Sequence, residues 1–343
     1  MFGRTALILV TVLVSMPLSD ASAQNPPSDA AVGNPIVMVE RALELIETGD
    51  VSNAQKLLQQ AEISKPDLEL LLLGKGMLMM ASRQDFQAIN YLELYNKSKA
   101  ARSDYRGFAA VGEIYVRNRK YSLAKNVLQR ARDLAPIEED DRAIRSEITT
   151  RLAEALVRLD QPRLAIRQLK EAQATSVDDP ETQLMICQLA ARVNEPVLAN
   201  EAADNAINGF NQTLRVSPFR RATYEQLTRC FEVLIEMAAR DVSRNPDDAD
   251  AILRTARLMR ELGTLRRRVH LIDARDLVLQ AIEVGGSSTD KLLLVAEMEA
   301  ELGGTEQARA RIDEILQQDA ENARALQLKQ SLGELGASSA FGR

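Results

Sequence analysis

Histidine occurs once, cysteine twice and tryptophan not at all in the 343 residues of this chain. A zinc centre of four Cys and His ligands therefore cannot be assembled without carboxylates. A disulfide framework is excluded as well, because one bridge is the most that two cysteines can form. Aromatic residues make up 4% of the chain, with 16 glycines and 11 prolines, while Ala, Leu, Glu, Arg and Gln abound. That mixture suits helices and little else. Long hydrophobic runs are missing too. The uncharged stretch from Thr5 to Leu18 and the apolar stretch from Leu68 to Met80, interrupted by Glu69 and Lys75, both fall short of the roughly 20 residues that span a bilayer. With 45% hydrophobic residues and a net charge of −6, the composition is that of a globular protein and not a disordered one.

The N-terminus reads as an address. Met1 to Arg4 carry one positive charge, Ala6 to Val14 are apolar except for Thr11, and Ala21-Ser22-Ala23 form a small-x-small cleavage site before Gln24. No cysteine follows the apolar stretch, so lipid attachment is not expected. The expected mature protein is soluble and exported, most simply to a bacterial periplasm, with residues 1–23 removed and 24–34 a flexible leader.

Beyond the leader the chain repeats. One column of small residues runs Ala54, Ala88, Ala124, Ala165, Ala199, and a second, seven residues later, runs Ala61, Tyr95, Ala131, Ala172, Ala206. Both step by 34, 36, 41 and 34, the long step containing the acidic insertion Glu138-Glu139-Asp140-Asp141. Small residues at such spacing let two helix backbones approach, and large ones fill the space beside them. The clearest repeat is the third, with Phe108, Val111, Gly112 and Tyr115 on one helix, Ala124, Leu128 and Ala131 on the next, and Pro136 beyond it.

These eight positions resemble the tetratricopeptide repeat family, with Phe108, Val111 and Leu128 in place of its usual Trp, Leu and Phe. The resemblance implies an all-α fold of antiparallel helix hairpins stacked in a right-handed superhelical solenoid, with the first helix of each hairpin on the concave face. The expected organisation is five such repeats over 35–213, longer irregular helices over 214–288 broken at Pro246 and Gly263, a final repeat with a capping helix over 289–335, and a disordered tail over 336–343. In the second repeat Gly74 is taken as the small residue of the first helix, which makes the following turn two residues longer than the others.

Two charged features are candidate sites. By the resemblance, Glu113 and Arg117, Glu154 and Arg158, and Gln188 and Arg192 occupy equivalent inner positions at i,i+4 spacing, so stacking would align a row of acceptors beside a row of arginines able to hold a peptide. The second feature is an anion-binding patch of Arg254, Arg257, Arg260, Arg266, Arg267 and Arg268, continued by Arg275 and opposed between them only by Glu261 and Asp273. Cys187 falls in the small-residue column of the first helices and Cys230 on the core seam Thr223, Leu227, Cys230, Leu234, Met237, so both are expected to be buried, with a bridge between them open. No catalytic constellation, cofactor or metal is expected, and nucleic acid is disfavoured for want of stacking aromatics beside the arginines. The expectation is a non-enzymatic scaffold or adaptor gripping a protein or peptide in its groove within a cell-envelope assembly. The alternative is a module that binds an anionic glycan or lipid through the arginine-rich face.

Overall fold

The computed structural model describes residues 33–137, 142–175, 179–217, 220–265 and 268–340, with 268 and 334–340 described by backbone alone. The signal segment, most of the leader and the acidic insertion lie outside the described residues. Among the described residues there are sixteen α-helices and one short 3-10 turn, and no strand. They form two compact units, the first comprising the described residues up to Thr175 and the second those from Asp179 onward.

The first unit contains four hairpins: α1 (Pro35–Glu47) with α2 (Val51–Ser64), α3 (Leu70–Ala81) with α4 (Asp85–Asn96), α5 (Arg106–Arg117) with α6 (Tyr121–Leu134), and α7 (Arg142–Arg158) with α8 (Pro162–Thr175). The second contains α9 (Pro180–Arg192) with α10 (Pro196–Val216), the long α11 (Arg221–Arg244), α12 (Ala249–Leu265) with α13 (Arg268–Gly285), α14 (Thr289–Leu302) with α15 (Thr305–Gln318), and α16 (Ala323–Ala340). Proline opens α1, α8, α9 and α10, where its missing N–H costs nothing. Side chains of Asn34, Asp50, Asp179 and Ser288 cap α1, α2, α9 and α14 by accepting backbone N–H bonds.

Each second helix buries the same triad. Ala54, Leu58 and Ala61 recur as Ala88, Leu92 and Tyr95, then Ala124, Leu128 and Ala131, Ala165, Leu169 and Ala172, Ala199, Ala203 and Ala206, and Ala308, Ile312 and Ile315, all at most 2% exposed. The hairpin turns are equally regular. Gly49, Arg83, Arg119, Asp160, Asn194 and Gly303 all have positive φ, between 55° and 88°, and each stands five residues before the small residue of its second helix. The next residue in every case donates its N–H to the carbonyl five positions back, as Asp50 does to Leu45 at 2.8 Å and Gln161 to Leu156 at 2.9 Å. This is the Schellman closure, which satisfies carbonyls the helix end would leave open.

Three expectations are corrected. Gly76, not Gly74, is the small residue of α3: a β-carbon on it would lie 2.6 Å from Leu92 Cγ, just as one on Gly112 would lie 2.5 Å from Leu128 Cγ, and the turn at Arg83 has ordinary length. Gly74 instead faces Leu58 and Val39 of the preceding hairpin. Second, Gly263 breaks nothing. It is buried inside α12, and a β-carbon there would come within 2.8 Å of Leu271. The segment 214–288 also hides a hairpin of the common kind, because Ala274, Val278 and Ala281 on α13 repeat the buried triad. Its helices are about one turn longer, which displaces the period. Third, α16 runs to Ala340 and does not stop at Leu335, since Ala337-Ser338-Ser339-Ala340 contains no strong helix breaker.

Ionic ties reinforce the first unit. Arg106 reaches from the start of α5 to both Glu40 carboxylate oxygens on α1, at 2.7 and 3.2 Å, and also holds Asp104, which accepts from the buried Tyr95 hydroxyl at 2.5 Å. Burial alone would raise the Asp104 carboxyl, but hydrogen bonds from Arg106 and Tyr95 outweigh it and hold the group below its usual range.

Candidate interaction surface

On the first helices α5, α7, α9, α12 and α14 the residue after the buried small one is polar and reaches solvent: Glu113 after Gly112, Glu154 after Ala153, Gln188 after Cys187, Arg257 after Ala256, and Glu297 after Ala296, whereas α1 and α3 carry Leu43 and Met77 there. One turn of helix separates the polar residues from Arg117, Arg158, Arg192, Glu261 and Glu301. The arginine row anticipated from the first three pairs therefore ends with them.

The i,i+4 pairing is not how these charges are used. Arg117 leaves Glu113 and binds the Asp85 carboxylate at the start of α4 through Nε and Nη2, where Asn118 Nδ2 also donates at 2.9 Å. Glu154 faces Arg151 at 3.5 Å, one turn back on its own helix. Arg158 is exposed. Gln188, half-buried, and Arg192, exposed, belong to the second unit.

Within the arginine-rich stretch, Arg254 and Arg257 are exposed on one face of α12. Arg260 is not available as a free cation, because it donates to Glu297 and Glu301 of α14 at 2.6 Å each. Arg275 is tied to its neighbour Asp276. Arg266 and Arg267 lie outside the described residues, as does the side chain of Arg268. The carboxylates that balance Arg260 are about 40 positions further on, beyond the reach of a local count of charges.

These contacts build a cavity of about 360 Å³ in the second unit, lined by Arg257, Arg260 and Glu261 from α12, Asp290 and Leu294 from α14, and Arg324 from α16. Glu297, only 13% exposed, ties its walls by accepting from both Arg260 and Arg324, the latter at 2.8 Å. Facing the cavity are two exposed guanidiniums, on Arg257 and Arg324, and two exposed carboxylates, on Glu261 and Asp290. A segment carrying both signs of charge complements that lining. The guanidiniums offer donors and the carboxylates acceptors for ion pairs and hydrogen bonds. Of these groups the sequence pointed to Arg257 and Arg260, with Glu261 only as a charge opposing them. Glu297 could have been found too, since it follows Ala296 as Glu113 follows Gly112.

Hairpins with a small residue at one place on the first helix, a buried triad on the second and a left-handed residue five positions before it decide the class. This is the tetratricopeptide repeat fold. No family model matches the sequence, and neither does any curated protein. Among solved structures the chain is similar to PilF of Pseudomonas aeruginosa, at 16% identity and a TM-score of 0.45, covering 80% of this chain and 98% of that one. It is similar also to the C-terminal part of a TPR repeat-containing protein from Cytophaga hutchinsonii, at 15% identity and 0.42, over 84% and 98%. A third is YrrB, described as a TPR protein with an unusual peptide-binding site, at 18% identity and 0.35, over 68% and 95%. Among the described residues no helix is long and apolar enough to cross a membrane and no group of acidic, His or Cys side chains could hold a metal.

Proposed function

We propose that the chain is an exported, non-enzymatic scaffold that holds a protein or peptide segment within a cell-envelope assembly, soluble in a bacterial periplasm after removal of residues 1–23. The observation that carries this reading is the mixed-charge cavity between α12, α14 and α16, lined by the exposed Arg257, Glu261, Asp290 and Arg324. In the first unit Glu113, Glu154 and Arg158 are the polar groups offered to the same kind of ligand, with Arg117 already engaged by Asp85. An extended segment binds such a surface through side chains of alternating sign, and the rigid hairpins keep the ordering cost low.

The test is crosslinking in the native envelope followed by affinity purification, with the wild-type chain and with Arg257→Glu and Arg324→Glu side by side. A partner recovered with the wild type and lost from both variants supports the scaffold. No specific partner over several growth states, or one indifferent to both charge reversals, overturns the site. The same preparation sequenced from its N-terminus is expected to begin at Gln24. The anionic-surface alternative rests on exposed Arg254 and Arg257, and predicts binding to vesicles of anionic lipid that Arg254→Glu abolishes.

A further inference from the structure

The chain's two cysteines, 43 positions apart in sequence, lie on two helices of the second unit that are tied to one another. Cys187 on α9 and Cys230 on α11 are both fully buried. Cys230 sits in a cluster with Leu184 of α9, Ala206 and Phe210 of α10, Leu227 and Phe231 of its own helix, and Leu262 of α12. Leu184 is one turn before Cys187 on the same buried face of α9.

Two polar ties fix how α9 and α11 lie against each other. Gln226 Nε2 donates to Glu181 Oε1 at 2.9 Å, and Arg240 Nη1 donates to the carbonyl of Ala191 at 3.3 Å. Both ties advance along the two chains in the same direction, so the helices run parallel. Side chains lean toward the N-terminus of their helix, and a long arginine reaches back about a turn. Both ties then give one offset, which sets Cys187 opposite residue 232, about 3 Å of helix rise from Cys230. Both are free thiols in this structure. Burial pushes Cys230 up to about 12 and the nearby Cys187 adds to the rise, while Cys187 is pushed to about 12 by burial and then by Asp204. Once α9 and α11 have closed, neither is a competent nucleophile.

We propose that Cys187 and Cys230 are joined by a disulfide in the mature protein, formed as the second unit folds. The inference rests on the export reading, because such bonds persist in oxidising compartments. The oxidant is a disulfide-donating protein of that compartment. One cysteine thiolate attacks the donor's disulfide to give a mixed disulfide, and the second cysteine displaces the donor, which leaves as a dithiol. The pair gives up two protons and two electrons, and the donor takes them. The bond fastens α11, a helix with no hairpin partner of its own, to the α9 and α10 hairpin.

The mature chain from residue 24, refolded with reduced and oxidised glutathione and then unfolded with an alkylating agent but no reductant, tests the bond apart from the compartment. The expected product takes up no alkyl group, is lighter than the reduced chain by about 2 Da for the two hydrogens lost, and yields one crosslinked peptide pair. Its thermal midpoint drops by several degrees when reductant is added, and the midpoints of Cys187→Ala and Cys230→Ala do not respond to reductant. Two alkylated cysteines after refolding overturn the proposal and leave the export reading standing. A bond formed in glutathione buffer but absent from the chain purified from its native cells overturns the native disulfide, and a purified chain that still carries residues 1–23 overturns the export reading.

Discussion

The side chain of Leu92 occupies the space that a β-carbon on Gly76 would need, its Cγ 2.6 Å and its Cδ2 2.7 Å away. Leu128 stands in the same relation to Gly112, at 2.5 Å from Cγ. In both hairpins the leucine can reach its buried position only because the facing helix has no side chain there. Adding one methyl group forces the helices apart or the leucine off its rotamer. Gly76→Ala and Gly112→Ala are therefore expected to destabilise the fold by about 1–3 kcal/mol each, the usual cost of overpacking a filled core. Gly333→Ala, with nothing within 4 Å of the added carbon, should leave the denaturation midpoint level or slightly higher. Equal effects at all three positions in a denaturant titration would remove the close-contact explanation.

Gly76 also marks where sequence reading reaches its limit. Two glycines two positions apart, Gly74 and Gly76, can each fill a column that asks only for a small side chain. What separates them is backbone conformation, visible in the left-handed residue Arg83 five positions before Ala88. The pairing of α12 with α13 was hidden for a different reason. Ala256 to Ala274 is 18 positions where Gly112 to Ala124 is 12, so lengthened helices removed the period and left the packing rule intact. The charges of the candidate surface were legible and their partners were not, because Arg117 and Arg260 find carboxylates on other helices.

The left-handed turn residues divide by chemistry. Gly49 and Gly303 adopt positive φ without a steric penalty, and asparagine at 194 tolerates it, but Arg83 and Arg119 hold their β-carbons against the following carbonyl at φ of 61° and 59°. Replacing either arginine by glycine relieves a strain of about 1 kcal/mol, less what glycine costs in the unfolded chain. Arg83→Gly and Arg119→Gly are expected to raise the thermal midpoint, and Asn194→Gly to change it little. Proline at 119 should be severely destabilising, since its ring fixes φ near −65°.

Lys291 is 8% exposed and, among the described residues, has no carboxylate partner. Its ammonium donates instead to the carbonyls of Ala281 at 3.1 Å, Gly285 at 3.4 Å and Gly286 at 2.8 Å. These oxygens end α13, where the helix dipole is negative, so the side chain caps α13 from the first turn of α14. Lys291→Met keeps most of the length and apolar volume and removes all three donors. The expected loss is about 1–3 kcal/mol, the cost of buried acceptors left without a partner. Hydrogen exchange should show the last turn of α13 opening first.

Glu299 on α14 is the counterpart without a solution. Its side chain is buried, with Oε2 lacking a hydrogen-bond partner among the described residues. Burial raises its pKa, and the more distant charges of Arg311 and Arg275 oppose the rise only in part. The folded protein therefore binds this proton more tightly than the unfolded chain, whose glutamates titrate near about 4.3. The contribution to stability is fully present below that value and is lost as pH rises through the raised one. At neutral pH the ionised carboxylate is a cost to the fold. Glu299→Gln removes the charge and keeps the shape, so it should stabilise the protein at pH 7 by about 1 kcal/mol and flatten its stability profile across that window. Denaturation midpoints of both chains from pH 4 to pH 7 provide the check: parallel curves, or a variant less stable at pH 7, would show that Glu299 is held as a useful anion.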